Sequence, residues 1–421
     1  MRAFLEMDVP ICVVGKVFKP NRQKVLALNQ CLSGFMQVIK FYISLKDMSR
    51  RHNKVFYEEA KARFGSGLPT ALIQNARDKA GEALRSFEEN RRGDSTLAPR
   101  RVSIRLDTRC CSLSKTTDAM TPYWLSLKLN HGGRVSLPVV FGKRQREVIE
   151  ETLQGRLHLS TVEMVKREGE WYAHFTVKKA VLFKEPETVI GIDIGENNLA
   201  VAVALKDKPR EARFWRGSKL KQLRWRNSKV RANLQQKHRL DIVKRLRGRE
   251  HRQVKQELHK LANEVVEYAK SFESPIIAME NLKGIRSNIR YGRRMNRRLH
   301  TLPFRQLQQL IEYKALWQGI PVAYVKAKDT SKTCHRCEGV KRIEGEVYRC
   351  SVCGMVYSRD LNASINIAKR LLGQEAKPKP KSEEFGGDIK VNPPNQQMQI
   401  AAKSLIQCWK PPFEKGGSSH Q

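Results

Sequence analysis

The stretch VIGIDIGENNLAVAVAL, residues 189–205, decides the fold of the second half of the chain. Its two apolar runs flank a short polar turn, which predicts two adjacent strands. Asp193 interrupts the first run. Because an ionised carboxylate beside an apolar core needs a partner or a cation, Asp193 is a candidate functional residue.

Strands and helices alternate after this stretch. A basic segment, 217–252, merges into an amphipathic helix, and the sequence then predicts a buried strand at Pro275–Glu280, a helix at Phe304–Gln318 and a strand at Val322–Val325. This alternation predicts an α/β domain. A short polar joint, 184–188, precedes it and marks a domain boundary.

The first half of the chain follows a different pattern. Ile11–Phe18 is β-branched and predicts a strand, whereas apolar residues recur at helical spacing in 21–44 and again in 68–87. From about 101 to 182 the apolar period is two, and a polar turn at 167–170 predicts a hairpin. We therefore expect a β-rich module interrupted by a helical block.

The charge of the chain is strongly positive. Its 421 residues include 80 Lys and Arg against 42 Asp and Glu, which gives a formal net charge of +38. Such an excess favours a polyanionic partner, either nucleic acid or an anionic membrane. No run of about 18 apolar residues is present, so we expect no membrane partner and an intracellular, soluble protein.

Four of the nine cysteines are clustered at metal-binding spacing. Cys334 and Cys337 form one C-x-x-C pair, and Cys350 and Cys353 form another after twelve intervening residues. Two such pairs can place four thiolates around Zn²⁺, and a site closed by four thiolates is typically structural. His335, between the first two ligands, is expected to be solvated.

Two further carboxylates share the setting of Asp193. Glu280 closes a strand, and Asp360 opens a predicted helix. Taken singly, these acids are explained by a turn, a strand-end ion pair and a helix dipole. Together they are typical of RNase H-like folds, in which carboxylates of a sheet and a following helix hold two Mg²⁺ ions about 4 Å apart.

An ordered set of motifs resembles one family. GIDIGENNLA, AMENLKGI, FRQLQQLIEYKALWQGIPVAYVKAKDTSKTCHRC and YRCSVCGMVYSRDLNASINIAKR are similar to the successive RuvC motifs and zinc ribbon of TnpB, the transposon-encoded RNA-guided nucleases. This match spans about residues 190–370. Upstream, the strand at Ile11–Phe18 and the segment GRLHLSTVEMVKREGEWYAHFTV resemble the family's wedge module more loosely.

The resemblance implies an α+β multidomain protein. We accordingly expect a RuvC-like, RNase H-like nuclease domain with an inserted zinc ribbon, and a β-barrel wedge module with an inserted helical recognition module. The expected ranges are 1–20 and 100–183 for the wedge module, 21–99 for the recognition module, 189–329 and 357–372 for the nuclease domain, and 330–356 for the ribbon. The remaining 373–421, rich in Lys, Pro and Gly, is expected to be disordered.

The resemblance also implies cofactors and partners. Asp193, Glu280 and Asp360 fall on the family's catalytic, Mg²⁺-binding acids, with two ions expected, and the four clustered cysteines fall on the ligands of one Zn²⁺. A guide RNA and a double-stranded DNA target complete the set. Asn362 and Asn366 fall on recurring asparagines and are expected to form local hydrogen bonds. Glu338 departs from the family pattern at the zinc turn.

Basic residues cluster on either side of Glu280. Segment 217–252 has thirteen Lys and Arg against two acids, and Trp225 within it and Trp215 just before it are expected to offer faces for stacking. A solvated charged face is the alternative. The net charge favours binding to a nucleic-acid backbone with steep salt dependence. The candidate contacts are Arg224, Arg226, Lys229, Arg231, Arg245, Arg247, Arg249, Arg293, Arg294 and Arg297.

A third group of polar residues lies in the inserted helices. Gln74, Asn75 and Lys79 fall where the family reads a short motif beside the target, and such side chains can bond base edges in the major groove. An ordinary exposed helix face explains the same residues.

The sequence thus predicts an RNA-guided DNA endonuclease of TnpB type that cuts next to a short adjacent motif. A compact type V CRISPR effector is the first alternative, and only the neighbouring locus separates the two. A nuclease-inactive, RNA-guided DNA-binding repressor is the second, against which the three intact acids argue. A DNA-joining transposase would need strand-transfer chemistry or a nucleophilic Tyr/His arrangement, which the sequence does not suggest. The expected location is the prokaryotic cytoplasm, at the nucleoid.

Overall fold

The computed structural model describes residues 5–45, 54–90, 96–99, 102–117, 121–282, 292, 296, 302–327, 329–340 and 345–375. Arg293, Arg294 and Arg297 lie outside these ranges, as does the tail from 376 onward. None of the helices within them is long and apolar enough to cross a membrane. The described residues form two compact units, 8–180 and 181–375, and the second also takes in 5–7.

A seven-stranded sheet organises residues 8–180, with the strand order β2-β6-β7-β1-β5-β4-β3. Its edge strands, β2 and β3, are consecutive in the chain, and the Sγ of Cys111 lies 3.9 Å from the carbonyl oxygen of Leu106 where they meet. The strands are β1 (Leu5–Val17), β2 (Ile104–Asp107), β3 (Cys111–Lys115), β4 (Tyr123–Leu127), β5 (Val135–Val140), β6 (His158–Arg167) and β7 (Glu170–Phe183).

The predicted hairpin is the β6–β7 pair. Glu168 and Gly169 form its two-residue turn with φ values of 50° and 84°. Two positive φ angles match the right-handed twist of the flanking strands, which explains the glycine in this turn. The first strand begins earlier than expected, at Leu5 rather than Ile11.

Within the described part of this unit, four helices accompany the sheet, three of them between β1 and β2. Asn21 starts the first by accepting a hydrogen bond from the backbone N–H of Lys24 at 2.9 Å. Apolar residues at helical spacing, among them Leu28 and Phe35, are buried on it. The helices are α1 (Arg22–Ser44), α2 (Lys54–Phe64), α3 (Thr70–Asn90) and α4 (Lys143–Leu153).

A five-stranded mixed sheet organises residues 181–375, with the strand order β10-β9-β8-β11-β12. β10, β9 and β8 are antiparallel, whereas β11 pairs in parallel with both β8 and β12. The strands are β8 (Thr188–Asp193), β9 (Asn198–Leu205), β10 (Pro209–Arg216), β11 (Pro275–Glu280) and β12 (Val322–Val325). Sequence patterning misses β10 because only Trp215 is buried in it.

Helices cover both faces of this sheet. Leu258 of α6 and Ile311 of α7 pack with Ile190 and Ile277 on one face. Ile367 of α8 packs with the alternate strand residues on the other face. The helices are α5 (Ser218–Gln236), α6 (Leu240–Lys270), α7 (Phe304–Trp317) and α8 (Arg359–Glu375).

Glycine at position 191 lets α8 lie directly on the central strand. A Cβ at this position would stand 2.1 Å from the carbonyl oxygen of Ser364 and 2.9 Å from the Cβ of Ala368. Between β12 and α8 the chain forms a small ribbon with the antiparallel pair β13 (Val347–Arg349) and β14 (Val356–Ser358). This arrangement delivers the first turn of α8 to the carboxyl ends of β8 and β11.

Candidate active site and nucleic-acid surface

Asp193 and Glu280 end two neighbouring parallel strands. Asp193 is the last residue of β8 and Glu280 the last of β11, and the register pairs Ile192 with Met279 immediately before them. The two carboxylates therefore lie side by side at one edge of the sheet. Residues 188–192 and 276–279, which precede the two acids, are buried, and each acid is partly exposed where its strand ends.

Asp360 reaches the same edge from α8. It lies in the first turn of the helix and is 8% exposed. Its Oδ2 accepts a hydrogen bond from the side-chain amide of Asn198, the first residue of β9, at 2.9 Å, and its Oδ1 is 3.3 Å from the guanidinium of Arg359. Neither contact was predicted, although Asn198 belongs to the same GIDIGENNLA motif as Asp193.

The three acids share one electrostatic environment. Burial raises the pKa of Asp193 well above its ordinary value, and the negative charges of Glu280 and Asp360 raise it further. Burial also raises the pKa of Glu280, while the hydroxyl of Thr330 and the charge of Arg370 oppose that rise. Without a cation, the site therefore favours a bound proton, as expected where like charges converge.

This donor set fits hard divalent cations. It offers carboxylate oxygens from three elements, and a cation would relieve the repulsion that raises the pKa of Asp193. In the described part of the chain, only the four cysteines bring all ligand atoms within 4.8 Å of one another. The three carboxylates are therefore not clustered as tightly as the four thiols.

Two further side chains hold Glu280. The amide of Gln308, fully buried on α7, donates to the backbone carbonyl oxygen of Glu280 at 2.7 Å. The hydroxyl of Thr330 donates to its Oε1. Sequence reasoning missed both residues. Their signals were a polar residue on the apolar face of a helix and a threonine four residues before the first cysteine.

The four cysteines converge into a cluster that fits Zn²⁺. The Sγ atoms of Cys334 and Cys353 are 3.7 Å apart, and those of Cys337 and Cys350 are 3.4 Å apart. The backbone N–H of Cys353 is the main cause that lowers the pKa of Cys350 to about 6. The N–H of Gly339 acts in the same direction on Cys337, but its neighbouring thiols raise that pKa to about 12. One thiol thus ionises readily, as a zinc ligand must.

The turn of the first knuckle carries the departure noted at Glu338. This residue has a φ of 60°, in the left-handed region, and its N–H donates to the carbonyl oxygen of Cys334 at 2.9 Å. The corresponding turn of the second knuckle uses Gly354 with a φ of 70°. A glutamate therefore adopts a conformation that favours glycine.

His335 is buried rather than solvated, so that expectation is wrong. It is 8% exposed, lies edge-on to Tyr357 and contacts the side chain of Asn362 through both its backbone N–H and its Nδ1, each at 3.0 Å. Burial lowers its pKa. Asn362 and Asn366 are also buried, and their partners belong to the segment that leads into the ribbon.

The basic segment forms the α5–α6 pair of helices. Arg226, Lys229, Arg245 and Arg249 are exposed on it. A groove of about 400 Å³ between the helices is lined by Arg226 and Arg249 and by the apolar Leu223 and Val230. The charges thus border an open surface, as a backbone-binding face requires.

Two of the other candidate arginines on these helices are less accessible. Arg231 pairs with Glu250. Arg224 is half-buried, and burial lowers the pKa of its guanidinium, which remains charged at neutral pH. The side chain of Arg247 is outside the described set.

The two tryptophans of this region differ. Trp225 is 56% exposed and has the ammonium of Lys229 4.2 Å from its ring centroid. Trp215 is 7% exposed, packs edge-on against Tyr268 and donates its indole N–H to Glu264 at 3.0 Å. The expectation that Trp215 offers a stacking face is therefore wrong, because it belongs to the core.

Gln74, Asn75 and Lys79 lie on α3 with partners inside the protein. Asn75 is 8% exposed and donates to Asp107 at 3.0 Å. Lys79 donates to Glu163 at 2.9 Å, and Gln74 accepts from Arg109 at 2.9 Å. These contacts tie α3 to the sheet of its unit, and the base-reading role remains a prediction.

Comparison with known proteins places the chain in a family. Residues 304–367 match the family model described as Cas12f1-like, TNB domain. The chain is also 33% identical over 223 residues to the CRISPR-associated endodeoxyribonuclease Cas12f2 of Micrarchaeota archaeon, covering 48% of this chain and 40% of that relative.

The fold also matches a solved structure. A Cas12f1 protein, determined by cryo-electron microscopy as a Cas12f1–sgRNA–target DNA complex, aligns with a TM-score of 0.60 at 16% identity, over 82% of this chain and 81% of that one. This likeness supports the α+β fold class.

A further sequence match extends over most of the relative's length. Over 248 residues, the chain is 30% identical to the TnpB-like protein MJ0751 of Methanocaldococcus jannaschii. The match covers 56% of this chain and 86% of that protein. The family suggested by the sequence motifs is thereby confirmed: the chain belongs to the family of TnpB-like proteins.

Proposed function

We propose that this protein is an RNA-guided endonuclease that cleaves double-stranded DNA next to a short adjacent motif, using two Mg²⁺ ions held by Asp193, Glu280 and Asp360. The observation that carries the proposal is the convergence of these acids. Two end neighbouring parallel strands, and the charges of Glu280 and Asp360 both act on Asp193. The strand order and the helix packed across β8 support an RNase H-like domain.

The residues around the acids would prepare them for cation binding. Asn198 orients the carboxylate of Asp360, and Gln308 and Thr330 orient Glu280 through its backbone and its side chain. Bound there, two Mg²⁺ ions supply Lewis-acid activation of water and charge neutralisation for phosphodiester hydrolysis. Arg359 adds a partly exposed positive charge beside Asp360 that can attract the phosphate backbone.

Guidance by RNA is supported by charge and by relatives. The exposed cations of α5 and α6 can neutralise phosphates without reading bases, which leaves sequence choice to pairing with a guide. One relative is named a CRISPR-associated endodeoxyribonuclease, and the solved Cas12f1 was determined with sgRNA and target DNA. A CRISPR effector differs from a transposon nuclease in the locus that supplies its guide. The intact acids favour cleavage over repression.

The experiment starts from the RNA that copurifies with the full chain, expressed with its flanking DNA. We expect one structured scaffold with a variable end. The complex is then given Mg²⁺ and plasmids that carry the complementary target beside randomised bases, and linear product is sequenced. Cleavage should depend on a fixed neighbouring motif. Random cellular RNA fragments, or cutting without complementarity, would contradict RNA guidance.

The catalytic assignment is tested by Asp193→Ala. The variant should cleave about 10³-fold more slowly, because several kcal/mol of transition-state stabilisation depend on the bound cations. Asp207→Ala is the matched control, since Asp207 is an exposed acid beyond the opposite end of β9. Undiminished cleavage by Asp193→Ala, or an equal loss in the control, would remove Asp193 from the site.

A further inference from the structure

A continuous chain of hydrogen bonds connects the four-cysteine cluster with Glu280. We propose that Thr330, Asn362 and Asn366 are positioning residues that make cation binding at the acidic centre depend on zinc in the cluster. The inference rests on the proposed function in one respect: it takes Asp193, Glu280 and Asp360 to be cation ligands. The coupling itself follows from contacts within residues 181–375.

The first part of the connection is a polar stripe on α8. Asn362, Asn366 and Lys369 are spaced i, i+4 and i+7, so they share one face of the helix. Lys369 donates through its Nζ to the backbone carbonyl oxygen of His335, between the first two cysteines. Asn362 accepts from the backbone N–H of the same residue at 3.0 Å and donates to the carbonyl oxygen of Thr333 at 2.7 Å. The stripe therefore grips the first cysteine knuckle.

The second part runs from this knuckle back to the acid. The side-chain amide of Asn366 donates to the carbonyl oxygens of Thr333 and Thr330, at 2.6 Å and 2.8 Å. Thr330 is 2% exposed, and its hydroxyl donates to Oε1 of Glu280. Thr330 is thus held by α8 through its backbone and contacts the proposed cation ligand through its side chain.

Because these hydrogen bonds are buried, the loss of one destabilises the others. Asn362 is fully buried and Asn366 is 9% exposed, so an amide that loses its partner pays the desolvation cost of an unpaired polar group. Zinc would hold Cys334 and Cys337 and, with them, the carbonyl groups that the asparagines bind. Loss of zinc releases the knuckle and frees Thr330 to leave Glu280. By reciprocity, a cation at the acidic centre would also strengthen zinc binding.

The test measures cation binding and not cleavage. Mn²⁺ is the probe in place of Mg²⁺, and free Mn²⁺ is followed by electron paramagnetic resonance with the zinc-loaded full chain. Thr330→Val removes the hydroxyl at nearly constant volume and should raise the Mn²⁺ dissociation constant about ten- to hundredfold, the scale of one hydrogen bond to a charged group. Thr330→Ser keeps the hydroxyl and should bind as the wild type does. Zinc content should not change in either.

A second pair of variants examines the helix stripe. Asn366→Ala should raise the Mn²⁺ dissociation constant and also speed zinc release to a chromogenic chelator. Ser364→Ala is its control, because Ser364 is also buried on α8, but its hydroxyl donates to the backbone carbonyl oxygen of Leu361 in the same helix, at 2.9 Å. It should change neither quantity. Thermal melting identifies a variant that fails to fold, and Thr330→Ala then replaces Thr330→Val.

The coupling predicts a non-additive result. Removing zinc from the wild type should weaken Mn²⁺ binding by the same factor as Thr330→Val, and removing it from Thr330→Val should weaken binding no further. Equal Mn²⁺ affinity of Thr330→Val and Thr330→Ser, or no effect of zinc removal on the wild type, would overturn the coupling.

The Asp193→Ala protein separates this inference from the proposed function. It should lose the Mn²⁺ site and supply the background of any binding to free thiols, which Mn²⁺ disfavours. If Asp193→Ala binds Mn²⁺ as the wild type does, the acids are not the cation site and the proposed function fails. If it loses Mn²⁺ while Thr330→Val does not, only the coupling fails.

Discussion

Asp193 stands where the free energy of folding and the proposed chemistry oppose each other. Its carboxylate ends an apolar strand and is pressed toward the neutral form by burial and by two other acids. A protein built only for stability would place an amide or an apolar residue here. The cost is understandable if a cation resides at this position in the working protein.

This conflict predicts a pH dependence that Asp193→Asn should reduce. Because the folded state raises the pKa of Asp193 above its ordinary 3.8, the folded protein holds the proton more tightly than the unfolded chain. The free energy of unfolding therefore falls as the pH rises above about 4. Asparagine cannot ionise, so in magnesium-free buffer the variant should melt at least about 2 °C higher than the wild type at pH 7, with a smaller gap near pH 4.

Thermal melts across this pH range, on zinc-loaded protein, check the prediction. Saturating Mg²⁺ should reverse the order at pH 7, since the wild type gains a ligand that the variant binds poorly. If the difference in melting temperature between the two proteins does not change between pH 4 and pH 7, folding does not raise the pKa of Asp193, and the prediction is wrong.

At the scale of single elements, α8 makes contacts on two faces and carries a site residue at its N-terminal end. Ile367 and Leu371 pack on the sheet, the asparagine stripe holds the ribbon, and Asp360 lies in the first turn. A shift of this helix would therefore displace the acidic centre and the cysteine knuckle together. Its distance from the sheet is set by Gly191.

Gly191→Ala should consequently destabilise the protein by about 3 kcal/mol or more. The new Cβ would meet the backbone oxygen of Ser364, which cannot move without the helix. Gly373→Ala is the matched control: Gly373 lies on α8, and no atom stands within 4 Å of the position that its Cβ would take, so alanine there should stabilise by about 0.5–1 kcal/mol. Denaturant titrations of both variants measure the difference. Equal changes in the free energy of unfolding of the two variants would mean that α8 is not closely packed on β8 at Gly191.

The sequence predicted the elements whose buried residues form a regular apolar pattern and missed those without such a pattern. β8, β9, β11 and β12 were predicted from their apolar runs, which arise because both faces of each strand are covered. β10 was not predicted because all its residues except Trp215 are exposed, so they show no buried pattern. For the same reason, the sequence wrongly predicted that Trp215 is accessible. Strand membership there is imposed by pairing with β9, a tertiary effect.

The candidate site also contains residues that the sequence predicted and residues that it missed. Asp193, Glu280 and Asp360 attracted notice because acids beside apolar runs are costly, and the cysteines because of their spacing. Thr330, Gln308 and Asn198 carry only weak signals, such as the place of Gln308 on the apolar face of a helix, since a threonine, a glutamine or an asparagine is ordinary in sequence. Their significance arises only when the fold brings them to an acid 28 to 162 residues away.

At the scale of the whole molecule, the dominant property is its charge of +38. Not every cation in this total is available to a partner. Lys206 bonds to Glu187 and Glu273, and Lys260 and Lys270 each pair with a glutamate one turn earlier. By contrast, Arg226, Lys229 and Arg249 on α5 and α6 are exposed, and the groove between these helices is lined by two of them. Binding to a nucleic-acid backbone should draw on the second group.

The triple variant Arg226→Gln, Lys229→Gln, Arg249→Gln should therefore bind nucleic acid more weakly and with less dependence on salt. Each lost phosphate contact on a duplex lowers the slope of log affinity against log salt by about 0.9, so the slope should fall by about 2 to 3. Fluorescence anisotropy with the copurified RNA and its DNA heteroduplex, between about 50 and 300 mM salt, measures the slope. The triple variant Lys206→Gln, Lys260→Gln, Lys270→Gln removes the same formal charge from paired positions and should leave the slope nearly unchanged. If both variants lower the slope equally, net charge rather than the α5–α6 surface governs binding, and the placement of the nucleic acid on these two helices is wrong.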